Sequence, residues 1–448
     1  MKLRTVLALV AVAAIGGTAA GCGTVSKINP FNKGEKNKVT ASQGERIPLI
    51  ALNQRLEVSE ALKGQGFYLP PPSPVAAWPL PGGPPDAWID NLDAGANLQV
   101  AWRRDFGAGS SRRHYVTAPP VAADGKVFVM DADADVSALD SKSGGRIWRV
   151  NLAQKSKRDH DGFGGGLAYA DGRLYVTSGY RFVAAVDAAS GKVLWRTDTD
   201  APIHGAPVVM DRRVLAIDLN DQLLAYNAET GAEDWSYQAL TEPARVLAAS
   251  SPAPAGDSAI APFASGELVA VRAANGAEGW SATLSRTSRT NALSEIRDIA
   301  GRPVVYRGSV YAGSHSGVFA AIDLRSGDPQ WTLPVSSITT PWPAGDVVFV
   351  VSQAGQVICA ARGTGQVYWI TELNKGLKRK KRSAYFGPVL ASGHLLVVSD
   401  RGQLVSLDPK SGKVERTLKL GAGALQPPIA MDGTLYVVTQ DATLVAIR

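Results

Sequence analysis

The feature that constrains this chain most is that it repeats itself. From about Val100 onward one frame occurs seven times. It reads Ala138-Leu139-Asp140-Ser141-Lys142-Ser143-Gly144-Gly145-Arg146-Ile147-Trp148, then Ala185-Val186-Asp187-Ala188-Ala189-Ser190-Gly191-Lys192-Val193-Leu194-Trp195. Further copies centre on Gly231 with Trp235, Gly276 with Trp280, Gly327 with Trp331 and Gly365 with Trp369, and a seventh at Gly412 carries Arg416 in the tryptophan position. A second motif, a turn followed by an apolar strand, precedes most copies, as in Asp124-Gly125-Lys126-Val127-Phe128-Val129 and Asp171-Gly172-Arg173-Leu174-Tyr175-Val176. These are hairpin signals: glycine takes the positive-φ position of a tight turn, Asp, Asn or Ser bonds its own backbone, and β-branched or aromatic residues fill the strands. The tryptophan, four residues past the turn glycine, offers each unit a flat face to lay on its neighbour.

The spacing sets the architecture. Trp102, Trp148, Trp195, Trp235, Trp280, Trp331, Trp369 and Arg416 lie ~38 to 51 residues apart, the length of a four-stranded propeller blade. The last repeat ends at Leu444-Val445-Ala446-Ile447-Arg448 without a turn or a tryptophan, whereas Leu98-Gln99-Val100-Ala101-Trp102 is a strand with a tryptophan and no unit before it. Joining the two completes an eighth blade and leaves no free sheet edge. An open solenoid would need end caps, and none is evident. The expectation is an all-β, eight-bladed propeller over residues 96–448, its last blade closed by an N-terminal strand and the seven tryptophans docking blade on blade.

Ahead of the repeats, Met1 to Arg4 is cationic and Thr5 to Ala20 is apolar but too short and too rich in small residues for a membrane span. The run ends Thr18-Ala19-Ala20-Gly21-Cys22, which resembles the bacterial lipobox despite Ala19 where leucine is usual. That resemblance implies a signal peptide at 1–21 and a diacylated Cys22, whose acyl chains together give a stable anchor. Gly23, where inner-membrane retention would use Asp, implies export to the outer membrane. Residues 22–43 are polar and lysine-bearing, a flexible tether. Residues 44–95 form a proline-rich extension. Its runs at 69–74 and 79–85 must be loop or polyproline II, and Trp78 and Trp88 are expected to pin it to a domain surface. One or two helical turns are expected at Leu56 to Leu62.

Charge matters because the formal net charge of +7 suggests an anionic partner. The excess sits at the edges: Lys2 and Arg4 in the leader, four lysines of the tether, and the run Lys378-Arg379-Lys380-Lys381-Arg382. The remaining body is slightly acidic. As a loop between blades the basic run is expected to be solvated or to meet lipid head groups or an acidic protein surface. Nucleic acid is not expected, since no aromatics interleave with it. The two cysteines, Cys22 and Cys359, supply neither a disulfide framework nor a four-cysteine zinc site.

The Ala-x-Asp-x-x-Ser/Thr-Gly-x-x-x-Trp frame resembles the docking repeat of the pyrroloquinoline-quinone family of eight-bladed propellers, over about residues 96–448. The resemblance leaves open a quinoprotein dehydrogenase, a barrel-assembly scaffold and some other envelope-binding propeller. The enzymes use adjacent cysteines over the quinone and a calcium held by carboxylate and amide ligands, and Cys22 and Cys359 are not adjacent. The lipobox, Gly44-Glu45-Arg46-Ile47-Pro48, Trp78-Pro79-Leu80-Pro81-Gly82-Gly83 and the ending Val445-Ala446-Ile447-Arg448 resemble the BamB family of outer-membrane assembly lipoproteins. That resemblance implies no enzyme activity and no cofactor. It implies a lipid-anchored place on the periplasmic face of the outer membrane, with the barrel-assembly protein BamA, other assembly components and unfolded outer-membrane proteins as partners. In that family two loops engage BamA, one with an apolar pair and one with a carboxylate. The matching irregular insertions here run from Thr241 to Ser250 and from Leu284 to Ile299. They imply partner binding by Val246, Leu247, Leu293, Ile296, Arg297 and Asp298. Ala300 stands where the family has a second carboxylate, and no arginine matches the one often found in the first loop.

Other candidates read as structure. Asp131-Ala132-Asp133-Ala134-Asp135 lacks the glycine and the later glutamate of a calcium loop and sits where the repeat needs a turn. Gly162-Phe163-Gly164-Gly165-Gly166 has no following Lys-Ser/Thr for a phosphate loop and is expected to start a strand near a crowded axis. His114, His160, His204, His315 and His394 show no metal spacing, and Cys359, at the alanine position of its repeat, is expected to be a small buried thiol. No nucleophile constellation occurs.

Overall fold

The computed structural model describes residues 56–84, 88–153, 163–242, 250–285 and 296–448. The signal, the lipidation position Cys22 and the tether lie outside them. Among the described residues, eight four-stranded antiparallel sheets form the blades of a propeller. Blade 1 runs Val121–Ala123, Lys126–Met130, Asp135–Asp140, Arg146–Asn151, in spatial as well as chain order. We call these positions strands a to d, and blades 2 to 7 repeat them. The a strands of successive blades meet one another and so line the axis. Blade 8 takes strands a to c from Ile429–Met431, Thr434–Val438 and Thr443–Ile447, and strand d from Val100–Asp105. Trp102 stands opposite Ala446 in that last pairing. The ring closes as the repeat arithmetic required.

Burial follows position. Inner strands such as Val347–Val351 are buried throughout and read as unbroken apolar runs, because sheets cover both their faces. Outer strands such as Glu233–Gln238 alternate exposed and half-buried residues.

The repeat frame has a geometric reason. Each tryptophan of strand d pairs with a small residue of strand c: Ala138 with Trp148, Ala185 with Trp195, Ala225 with Trp235, Ala270 with Trp280 and Ala321 with Trp331. Cys359 fills this position opposite Trp369, and Ser406 opposite Arg416. A bulge follows each pair, increasing local twist where the ring must turn toward the next blade. There the indole meets the next blade's turn glycine. Gly191, at φ +76°, lies so close to the Trp148 ring that a β-carbon would come within 2.8 Å of it. The indole Nε1 then donates to a backbone carbonyl three residues before that glycine. Trp148 reaches Ala188 at 3.1 Å, Trp195 reaches Ala228 at 3.1 Å, and Trp235 reaches Ala273 at 3.1 Å. Trp280 reaches Leu324 at 2.8 Å, Trp331 reaches Arg362 at 2.8 Å and Trp369 reaches Pro409 at 3.1 Å. Trp102 packs on Gly144 in the same way, but the equivalent carbonyl, Ser141, accepts from the Tyr436 hydroxyl at 2.9 Å. The Trp102 Nε1 has no acceptor among the described residues.

The proline-rich extension crosses one face of the ring, the face carrying the a–b and c–d turns. Ser59 donates to Val367, Leu92 to Leu390 and Gly95 to Gly433, and the Trp78 and Ala122 backbones bond each other. Leu56 to Leu62 forms a single turn closed by Leu62 N–H on Ser59, short of the helix expected there. Val75, Trp78, Leu80 and Leu92 are buried, and Trp78 stacks on Trp342 with centroids 6.4 Å apart. Trp88 packs on the same indole at 4.7 Å. The prolines prevent the segment from adding a strand, so a few backbone bonds and three indoles hold it.

Candidate partner interface

The opposite face is built from the b–c turns and the d-to-a connections between blades, and of the partner-binding candidates it carries the described residues Ile296, Arg297 and Asp298. Between blades 3 and 4, Val246 and Leu247 lie outside the described residues, as does Leu293 between blades 4 and 5. The flanks of those two loops adjoin, since the Ser250 hydroxyl donates to the Ile299 carbonyl at 3.0 Å. Ile296 is half-buried and Arg297 exposed. Asp298, expected to present a carboxylate, is instead only 4% exposed. Its backbone carbonyl accepts from His315 N–H at 2.8 Å, which ties the loop to blade 5. Asp298 lines a recess of about 20 Å³ together with His204, Asp218 and Asp221. Asp221 accepts from the Glu242 and Ala264 amides, and Asp218 from the Asn220 and Gln222 amides. Acidic groups thus lie beneath the roots of both loops, where their oxygens fix backbone. Sequence reading missed Asp218 and Asp221, which sit in ordinary b–c turns and have no motif of their own.

The basic run lies on this face as well, between blades 6 and 7. Arg379–Lys381 form one 3₁₀ turn with no buried residue. The loop is pinned by backbone: Arg401 donates to the Lys380 and Arg382 carbonyls, at 2.7 and 3.2 Å, and Asn374 bonds Ser383 at both amide and carbonyl. None of Lys378 to Arg382 forms an ion pair among the described residues.

The remaining candidates resolve as structure. Asp131 closes its turn by accepting from the Asp133 and Asp135 amides, and its other oxygen holds Ala108 N–H and Arg149. Burial pushes its carboxyl above the ordinary value, against the pull of those backbone bonds. In the glycine run, a β-carbon on Gly164, at φ +79°, would come within 2.7 Å of the His204 backbone, so the close approach demands glycine. His114 pairs with Asp133 at 2.9 Å and His394 with Glu415 at 2.8 Å.

Among the described residues the donors that the dehydrogenases' quinone and calcium would need are not found together. Cys359 is fully buried in strand c of blade 6, and burial raises its thiol well above the ordinary value, so it remains a protonated core residue. Among the described residues no group of three His, Cys, Asp or Glu side chains is placed to hold a metal ion.

Known proteins agree with the repeat geometry. The family model described as "Outer membrane protein assembly factor BamB" matches residues 132–371 and 374–448. The chain belongs to the BamB family. A BamB of Salmonella typhimurium (strain LT2) is 30% identical over 352 residues, covering 78% of this chain and 88% of that protein. A BamB of Yersinia pestis is 27% identical over 350 residues, 77% and 87% respectively. In structure, the fold is similar to BamB from Moraxella catarrhalis, with TM-score 0.67 and 19% identity over 78% of this chain and 99% of that one. It is also similar to quinohemoprotein alcohol dehydrogenase from Comamonas testosteroni, TM-score 0.64 and 15% identity over 88% and 83%. These two likenesses concern the fold alone.

Proposed function

We propose that this chain serves outer-membrane protein assembly as a scaffold that binds and positions its partners, with no catalytic step. The observation that carries this reading is membership of the BamB family across the propeller. A face combining two long inter-blade loops with a pinned basic loop supports it, because long loops on a rigid frame are where binding residues sit. Acylated Cys22 holds the protein at the periplasmic face of the outer membrane, and residues 22–43 give it reach. The two loops, through Val246, Leu247, Leu293, Ile296 and Arg297, dock on BamA. Asp298 acts from beneath by fixing the second loop.

The test is affinity capture of the full-length lipoprotein from solubilised membranes. Assembly-machinery components, BamA foremost, are the expected co-purifying proteins, and their absence overturns the reading. Val246→Asp combined with Arg297→Glu should abolish capture while leaving the thermal unfolding midpoint unchanged. Asp298 is left in place because an arginine there would bury a charge and disturb the fold.

A further inference from the structure

The propeller axis holds a shaft of about 410 Å³ whose wall is assembled from six of the d-to-a connections between blades, together with Phe386 and Gly387 at the start of strand a of blade 7. It therefore opens on the loop-bearing face. Pro81, from the extension that crosses the opposite face, joins the wall beside Arg302. Its wall is mostly apolar, with Tyr115 and Phe163 in edge-to-face contact at 5.7 Å and Phe386 and Leu425 contributing further. Among the described residues the wall includes no carboxylate.

Arg302 is the anomaly. It is 91% buried, 9% of its surface remaining exposed, and its Nε donates to the Pro252 carbonyl at 3.2 Å while Nη1 donates to the Pro81 carbonyl. Nη2 makes no hydrogen bond, and Arg302 has no carboxylate partner among the described residues. A buried charge without a counter-ion costs free energy unless something compensates it. Burial draws the guanidinium down to about 9, so it stays charged at neutral pH.

We propose that the axial shaft is a binding site for a small monocarboxylate with an apolar body, its carboxylate on Arg302 and its body against the aromatic wall. Apolar walls with one well-placed polar group are what small-ligand pockets share, and this volume is in their range. A single cation favours a single anionic group over a polyanion, and a planar guanidinium favours a carboxylate.

The probe is 2-naphthoate, compared with the uncharged 2-naphthamide, titrated calorimetrically into the full-length lipoprotein in matched detergent. The acid should bind at one site and the amide at least about tenfold more weakly, the loss of one charge-assisted bond. Arg302→Met should erase the preference for the acid, and Arg302→Lys should keep part of it. Should Arg302→Met not fold, Thr340→Trp fills the shaft with Arg302 intact and should block both probes. Acetyl-Leu-Phe, as free acid against its amide, separates the sources: acid-selective binding shows that a chain end enters, and its absence beside naphthoate binding restricts the site to free small molecules. Equal binding of naphthoate and naphthamide, or no binding of either at millimolar concentration, overturns the proposal. Arg302 is not among the residues proposed to dock on BamA, so capture of assembly components by Arg302→Met stays at the wild-type level and tests the scaffold role separately.

Discussion

Arg416 donates from Nη1 to the backbone carbonyl of Asn97 at 2.8 Å, bridging blade 7 to the strand that closes blade 8. At six other junctions an indole makes this bond while resting on a turn glycine. Blade 8 has no such glycine, because its strands c and d come from opposite ends of the repeat region and no turn joins them. A guanidinium can reach the carbonyl without a flat platform, and Ser406 replaces the alanine opposite it. Arg416→Ala should therefore cost little, about 1 kcal/mol or less for an exposed hydrogen bond. A shift of the urea midpoint no larger than that, at unchanged slope, is the expected result.

The indole junctions should respond more strongly. Trp148→Ala removes a buried ring from between two blades and leaves the Ala188 carbonyl without its donor, a change of about 3 to 5 kcal/mol. Phenylalanine substitutions isolate the bond from the ring. Trp148→Phe should destabilise by about 1 kcal/mol more than Trp102→Phe, since the Trp102 Nε1 has no acceptor to lose. Equal effects in paired urea titrations would contradict the junction chemistry described here.

Much of this fold was legible because one physical unit was written seven times. A single Gly-x-x-x-Trp is a weak signal; repeated at blade length it specifies strand, turn, docking face and ring closure together. Cys359 was readable as a core thiol because its position in the frame is alanine in blades 1 to 5. The route of residues 56–98 was not readable, since proline and glycine runs carry no periodicity and the bonds to Ala122, Leu390 and Gly433 span large sequence separations. The axial shaft was hidden for a related reason. Its wall takes one to three residues from each of many connections, and Arg302 lies in none of the motifs. Asp298 was found by resemblance, but its burial depends on the packing of blades 3 to 5, which no local pattern encodes.

Alkaline pH should weaken the protein through its tyrosines. Burial, together with a hydrogen bond to Asp124, pushes the Tyr169 phenol up to about 12. Burial likewise raises Tyr175, Tyr226, Tyr311 and Tyr436. A raised folded-state value means the folded protein holds its phenolic protons more tightly than the unfolded chain. The stability this contributes is complete below about pH 10 and declines as pH rises through the folded values. Unfolding midpoints should be flat from pH 8 to about 10 and fall beyond it, with phenolate absorbance appearing late and together with unfolding. In Tyr169→Phe the decline between pH 10 and 12 should be shallower.

One carboxylate of the extension itself, Asp90, clamps it to the ring. Asp90 Oδ2 accepts from the Tyr306 hydroxyl at 2.6 Å and from the Gly345 amide at 2.9 Å, and its backbone carbonyl accepts from Trp342 Nε1 at 2.8 Å. Those three partners belong to blades 5 and 6, so the residue fastens the proline-rich segment across a blade junction. In Asp90→Ala the hydroxyl and the amide lose their acceptor, at about 1 to 3 kcal/mol each if they stay buried. Releasing the segment lets water reach both and so limits that cost, at the expense of the Trp88 and Trp342 contact. The expected outcome is local opening in preference to global unfolding. Limited proteolysis should cut Asp90→Ala within residues 56–98 much faster than the wild type while the propeller fragment persists, and tryptophan emission should shift to the red. Asp90→Asn keeps one acceptor oxygen and should fall between the two. If Asp90→Ala is cleaved at the wild-type rate, the backbone bonds and indoles hold the extension and the clamp has no role in fastening it.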